Sequence, residues 1–192
     1  RYLLSSKVFL GSTFIYGFTT GSFFAILAVG STVFSNDLGI NSTGFGLIWS
    51  SMTILYASAA FLSGNLSTKI GLMSVMRIGM LLNLLSGVMF FTSIAIFGVT
   101  LFSIITPLVI MFFAHGFIVP TSMTKAVSDR PEIAGSSSGL SSALGLVTGG
   151  LFSILSGAVY AGSFLPISFI VMASTIMCSL SYSLIKWGEK SN

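Results

Sequence analysis

The chain has 192 residues, of which 54% are hydrophobic and only 6% charged, and eight Lys and Arg against four Asp and Glu give a formal net charge of +4. A mean hydropathy of +1.01 leaves too little polar surface to cover a water-soluble globule of this length. A soluble fold is excluded, and the class expected is an all-α membrane protein, because only helices satisfy their backbone polar groups internally over a span of about 20 apolar residues.

Six such spans are expected in chain order. The first covers about Val8 to Phe34 and is too long for the apolar core of a signal peptide. After the polar turn SNDLGINSTG a second covers about Phe45 to Leu66. The polar stretch GNLSTKIGLMSVMR, Gly64 to Arg77, separates it from a third, about Leu72 to Ile96. A tight turn at Gly98 leads to a fourth, about Val99 to Met123. After TKAVSDRPEI come the fifth, about Ala134 to Tyr160, and the sixth, about Ser163 to Trp187. No segment reads as a separate soluble domain, so residues 1–192 form a single transmembrane bundle.

The charges fix an orientation. With the N-terminus in the cytoplasm, Arg1, Lys7, Lys69, Arg77, Lys125, Arg130, Lys186 and Lys190 all fall on the cytoplasmic side, and the opposite loops carry only Asp37. This asymmetry predicts an N-in, C-in multi-pass protein of the cell (inner) membrane. The positive charge therefore reports topology, and no nucleic-acid partner is expected. The chain begins with Arg, which is expected to place its start inside a larger polypeptide. The lone Cys178 lies mid-helix and reads as a buried thiol.

Catalysis is not expected. Membrane hydrolases and metalloenzymes need clustered Asp, Glu, His or Cys to activate water or hold a metal. Here the one His and the one Cys lie on different helices, and the carboxylates Asp37, Asp129, Glu132 and Glu189 lie in loops or the tail. No catalytic residue, metal ligand or cofactor is assigned.

Packing signals are clearer. Gly17 and Gly21, with Thr13 and Ala25, make a small stripe on the first helix. Gly145 and Gly149 do so on the fifth, in a run from Ser141 through Ser153 to Gly157. Such stripes let helix backbones approach closely where lipid offers no hydrophobic drive, and they predict packing within the bundle. Asn83 is expected to bond across to a neighbouring helix, and Trp49 and Trp187 to anchor opposite interfaces. His115 is an ionisable side chain well inside a helix. Two readings stay open for it: a ligand contact or auxiliary proton site, or a neutral imidazole bonded to a neighbouring helix.

The segment GNLSTKIG resembles the cytoplasmic loop signature of major facilitator superfamily transporters, in which glycine, three residues, an acid, a base, any residue and glycine follow in order. Gly64, Lys69 and Gly71 match, while Thr68 stands at the position of the acid, so the charged latch of that loop is incomplete here. The segment GFIVPTSMTKAVSDRPEIAGSSSGL, Gly116 to Leu140, resembles the junction of the tenth and eleventh helices in the proton-driven drug-efflux branch, the bicyclomycin and chloramphenicol resistance type. The matching positions are Gly116, Pro120, Pro131, Ala134, Gly135 and Leu140.

The resemblance implies the C-terminal six-helix half of a twelve-helix transporter, built of two inverted three-helix repeats. A short echo, FLSG at Phe61 to Gly64 against ILSG at Ile154 to Gly157, fits that repeat. The implied partners are an N-terminal six-helix half, a small-molecule substrate, protons and the lipid bilayer. The implied activity is proton-coupled efflux of drugs or metabolites by alternating access, with the membrane-embedded acid supplied by the other half. By the same resemblance the first and fourth helices line the substrate cavity. Spacing of three and four places Tyr16, Thr20 and Phe23 on one face of the first, and Phe112, His115 and Val119 on one face of the fourth. Pro107 is expected to kink the fourth helix and free carbonyls near the cavity. Import of a small organic solute is the alternative within the transporter class. A six-helix scaffold or assembly partner that transports nothing is the alternative outside it.

Overall fold

The computed structural model describes residues 3–191, and for residues 190 and 191 the backbone alone. Arg1 and the Lys190 side chain therefore lie outside the described residues. Six helices are long and apolar enough to cross a membrane, and no strand occurs among the described residues. They are α1 (Lys7–Asn36), α2 (Ser42–Ile70), α3 (Leu72–Phe97), α4 (Leu101–Ser128), α5 (Ala134–Val159) and α6 (Leu165–Ser191). Short 3-10 turns, Leu3–Ser5 and Pro131–Ile133, precede α1 and α5.

Local chemistry sets the ends. Ser6 caps α1, its Oγ accepting from the Phe9 amide at 3.2 Å, and Asn41 caps α2 in the same way through Gly44 at 2.9 Å. Thr100 and Ser103 form a reciprocal capping box at the start of α4.

The polar stretch at Gly64 corrects the sequence expectation. Gly64 and Lys69 are helical residues of α2, and Gly71 alone separates α2 from α3. Thr68 hydrogen-bonds back to the Asn65 carbonyl, and the Gly71 amide closes the last turn on Ser67, so the polar side chains do not break the helix. The reversal is possible because Gly71 adopts φ +85°, a region closed to most residues. The sixth helix is likewise longer than expected, so Glu189 is helical.

The packing order has a symmetry. α1 packs against α5 and α6, α4 packs against α2 and α3, and α1 meets α4 as α3 meets α6. Exchanging the first three helices with the last three swaps α1–α5 with α2–α4 and α1–α6 with α3–α4, and returns α1–α4 and α3–α6 to themselves. Because successive spans run in opposite directions, the two triplets are inverted. The helices α1 and α4 form the centre and are the most buried, while α2 and α5 bury only a few positions. The outward faces are apolar, with Phe61, Ile96 and Ile154 more than 70% exposed, a surface suited to lipid or to further helices.

The described cations Lys7, Lys69, Arg77, Lys125, Arg130 and Lys186 all fall at the end where α1 begins and α6 ends. There Lys125 pairs with Glu189 at 2.7 Å, and Ser6 donates to Asp129 at 2.6 Å. At the opposite end burial, and then the charge of Asp37, raise Tyr160 above the usual tyrosine pKa.

Candidate functional site: an aromatic cavity between α1, α2 and α4

The centre of the bundle is not filled. A partly open cavity of about 330 Å³ lies between α1, α2 and α4, touched by α5. On α1, Tyr16, Thr19, Thr20, Phe23 and Phe24 line it at spacings of three and four, which places them along one helix face. From α4 come Phe112, His115 and Val119, from α2 Thr53 and Tyr56, and from α5 Leu146. All six residues read from the sequence as cavity-lining, Tyr16, Thr20, Phe23, Phe112, His115 and Val119, thus stand around one space.

The walls are mostly aromatic. Phe23, Trp49 and Phe112 pack on one another with ring centres 5.5–5.9 Å apart, and Phe45 stacks on Trp49 at 5.1 Å. This cluster closes the cavity on the side of the α1–α2 connection. Trp49 therefore departs from its expected interfacial role: its ring turns into the bundle, where three Phe rings outcompete the headgroup region as neighbours. Trp187 remains largely exposed near the end of α6.

The polar groups are few and uncharged. Thr19, Thr20 and Thr53 each donate to a carbonyl one turn back in their own helix, so their hydroxyl oxygens remain only as acceptors. The Tyr16 and Tyr56 hydroxyls make no hydrogen bond among the described residues and are available as donors. His115 Nε2 lies 3.4 Å from Ser22 Oγ. The Ser22 hydroxyl already donates to the Thr19 carbonyl at 2.8 Å, so the network assigns the proton between Ser22 and His115 to the imidazole. In the neutral imidazole this tautomer leaves Nδ1 as an acceptor. No carboxylate lines the cavity, and no group of three or more His, Cys, Asp or Glu able to hold a metal occurs among the described residues.

Glycines bring the walls together. A Cβ at Gly145 would overlap the Tyr16 ring, and one at Gly149 would meet Phe24 and Thr20. Across the same seam Gly17 faces Thr148 and Gly21 faces Phe152, and Thr13 hydrogen-bonds Ser141 at 2.7 Å. The two small stripes thus face each other along α1 and α5 and leave room for cavity-lining rings. On the other side Gly116 lets α4 approach the α2 backbone at Tyr56 and Ala60. By contrast Gly64, Lys69 and Gly71 lie toward one end of the bundle and take no part in the cavity.

Two further expectations take a specific form. Asn83 is buried on α3 with the Cys178 thiol of α6 as its cross-helix neighbour, a contact looser than an ordinary hydrogen bond. Pro107 does leave the Ser103 carbonyl without its helical donor, but Ser93 of α3 donates to it at 2.9 Å, away from the cavity. Sequence reasoning missed the α2 contribution. Its signal was the spacing of Trp49, Thr53 and Tyr56 by four and three, obscured by the Ser residues that surround the same helix.

No family model matches the chain. Over 180 residues it is 23% identical to a protein described as a bicyclomycin resistance protein homolog from Haemophilus influenzae. The alignment covers 94% of this chain and 45% of that relative, so the chain spans less than half the relative's length.

Proposed function

We propose that this chain is the C-terminal six-helix half of a major facilitator transporter of the cell (inner) membrane, one that exports drugs or small metabolites. The observation that carries this reading is the cavity: aromatic walls, a few neutral anchors, and a position between the two central helices. Such a lining binds a small, mostly apolar molecule and orients it with few hydrogen bonds.

Three other observations support it. The similarity to a resistance protein homolog runs through nearly all of this chain and under half of that relative, as a half-transporter requires. The exchange symmetry of the packing fits two inverted triplets. The outward side of α5 carries Gly135, Gly139, Gly150 and Gly157, where an added Cβ would meet nothing, and this small-residue face is open for helices of the N-terminal half.

On this reading the mechanism is alternating access. This bundle rocks against its partner half, and the substrate lies between the aromatic face of α1 and that of α4. Tyr16 and Tyr56 donate to it, and the threonine oxygens and His115 Nδ1 accept from it. Proton coupling draws on an acid outside this chain, since an intramembrane carboxylate would mark a proton relay and none lines the cavity.

The test uses the complete polypeptide in cells lacking their own drug pumps. Lower accumulation of a drug, abolished by a protonophore and absent when residues 1–192 alone are produced, is the expected outcome. Higher accumulation would favour import, no change with any solute would favour a scaffold, and full activity from residues 1–192 would overturn the half-transporter reading.

A further inference from the structure

We propose a binding site for the headgroup of an anionic phospholipid at the charged end of the bundle, where α1, α3 and α6 meet. It stands apart from the central cavity and does not depend on the transport reading.

The residues are Lys7, Arg77, Tyr182, Lys186 and Trp187. Val8, Met76, Ile185 and Tyr182 pack in one hydrophobic cluster. Their chain neighbours Lys7, Arg77 and Lys186 therefore ring the end of a single piece of core. Arg77 donates to the Tyr182 hydroxyl at 3.3 Å, and its guanidinium carbon lies 6.0 Å from that ring's centre. Lys186 Nζ lies 5.3 Å from the same ring, so one aromatic side chain is flanked by two cations. Lys7 Nζ sits 3.6 Å over the ring of Trp187. Aromatic faces attract cations through the ring quadrupole but supply no negative charge to neutralise them.

The carboxylates of this end are spoken for or lie elsewhere. Glu189 pairs with Lys125, Asp129 accepts from Ser6, and Glu132 is exposed in the α4–α5 connection. None forms an ion pair with Lys7, Arg77 or Lys186 among the described residues. Basic residues gathered between helix ends at the membrane surface bind phosphate headgroups.

What favours a lipid over a soluble phosphate is the surface beneath. Below Arg77 on α3, Ile78, Leu81 and Leu85 are exposed. Leu81 and Leu85 follow Arg77 at spacings of four on one face of α3, an apolar track beside the guanidinium on which an acyl chain can lie while the phosphate meets the cations. Trp187, 60% exposed, adds near the end of α6 the kind of amphipathic ring that favours the headgroup layer.

The complete polypeptide, purified in a neutral detergent, is titrated with dioleoylphosphatidylglycerol, with dioleoylphosphatidylcholine and with inorganic phosphate, and bound lipid is counted by native mass spectrometry. Phosphatidylglycerol should bind on the order of tenfold or more tightly than phosphatidylcholine, with each cation removed costing roughly fivefold. The preference should be lost in the Arg77→Gln/Lys186→Gln double variant, be reduced in Lys7→Gln and persist in Lys125→Gln. Lys7→Gln leaves the Arg77–Tyr182 contact intact and keeps the test open if the double variant folds poorly. Equal binding of the two lipids overturns the proposal. So does a preference lost equally in Lys125→Gln, which would report the general positive charge of this end. Displacement of the lipid by millimolar inorganic phosphate would assign the site to a soluble anion.

Discussion

His115 meets two demands at once: it lines the cavity, and its Nε2 reaches Ser22 on α1. Sequence reasoning set these roles against each other, and the geometry allows both because a neutral imidazole has two nitrogens with separate tasks. Substitutions at the two partners separate them. Ser22→Ala removes the interhelical bond without altering the cavity lining, so it should lower thermal stability by about 0.6 kcal/mol, the average for such bonds in membranes, and leave the substrate profile unchanged. His115→Gln keeps a donor and an acceptor but moves both, so transport by the complete polypeptide should change its substrate preference. Transport assays over a panel of neutral aromatic compounds, with melting curves in detergent, check both. A profile indifferent to Gln at position 115 would reduce this histidine to a packing residue. Its place among the lining residues was legible only through the family resemblance, which names the fourth helix as a cavity wall; spacing then set Phe112, His115 and Val119 on one face. Its partner was not, because nothing in the sequence says which Ser of α1 faces α4.

At the scale of elements, glycines decide how closely the helices approach, and their neighbours decide what a substitution costs. An added methyl at Gly116 would meet the backbone of α2 at Tyr56 and Ala60, which cannot move without shifting the helix. At Gly149 it would meet the ends of Phe24 and Thr20, which can turn. Gly150 has open space. Overpacking a close contact costs about 1–3 kcal/mol, so Gly116→Ala should fall at the upper end, Gly149→Ala at the lower end, and Gly150→Ala near zero. Melting temperatures of the purified protein rank the three, and an equal loss at all of them would contradict the assigned contacts. Gly149→Leu reaches further into Phe24 and Thr20 and should reduce transport while the protein still inserts. The stripes themselves were legible as four-residue spacing. The helix limits near Gly64 were not, because polarity predicts water contact and not the end of a helix, and Gly71 alone has the conformation that reverses the chain.

For the whole molecule, the asymmetry of charge and the inverted packing make the same demand: an even number of crossings, with both ends on one side. The echo of FLSG and ILSG illustrates how little of the repeat the sequence retains. Phe61 stands 19 residues after the start of α2 and Ile154 stands 20 after the start of α5, and both point outward, so matched positions share an environment although the rest of the two helices has diverged. Topology can be tested directly. Single cysteines at Ser42, Ser74 and Ser128 sit beside the α1–α2, α2–α3 and α4–α5 connections, and Ser42 and Ser128 are exposed. The native Cys178 is fully buried, so it should give little background and can be replaced by Ala. α2 has 29 residues, about 43 Å of helix, enough to carry the chain across the hydrocarbon core between Ser42 and Ser74. A membrane-impermeant maleimide added to intact cells should therefore label Ser42→Cys alone, and Ser74→Cys and Ser128→Cys should react only once the membrane is opened. Labelling of Ser42→Cys and Ser128→Cys from the same side would remove one crossing from the path, and the inverted relation of the two triplets would fall with it.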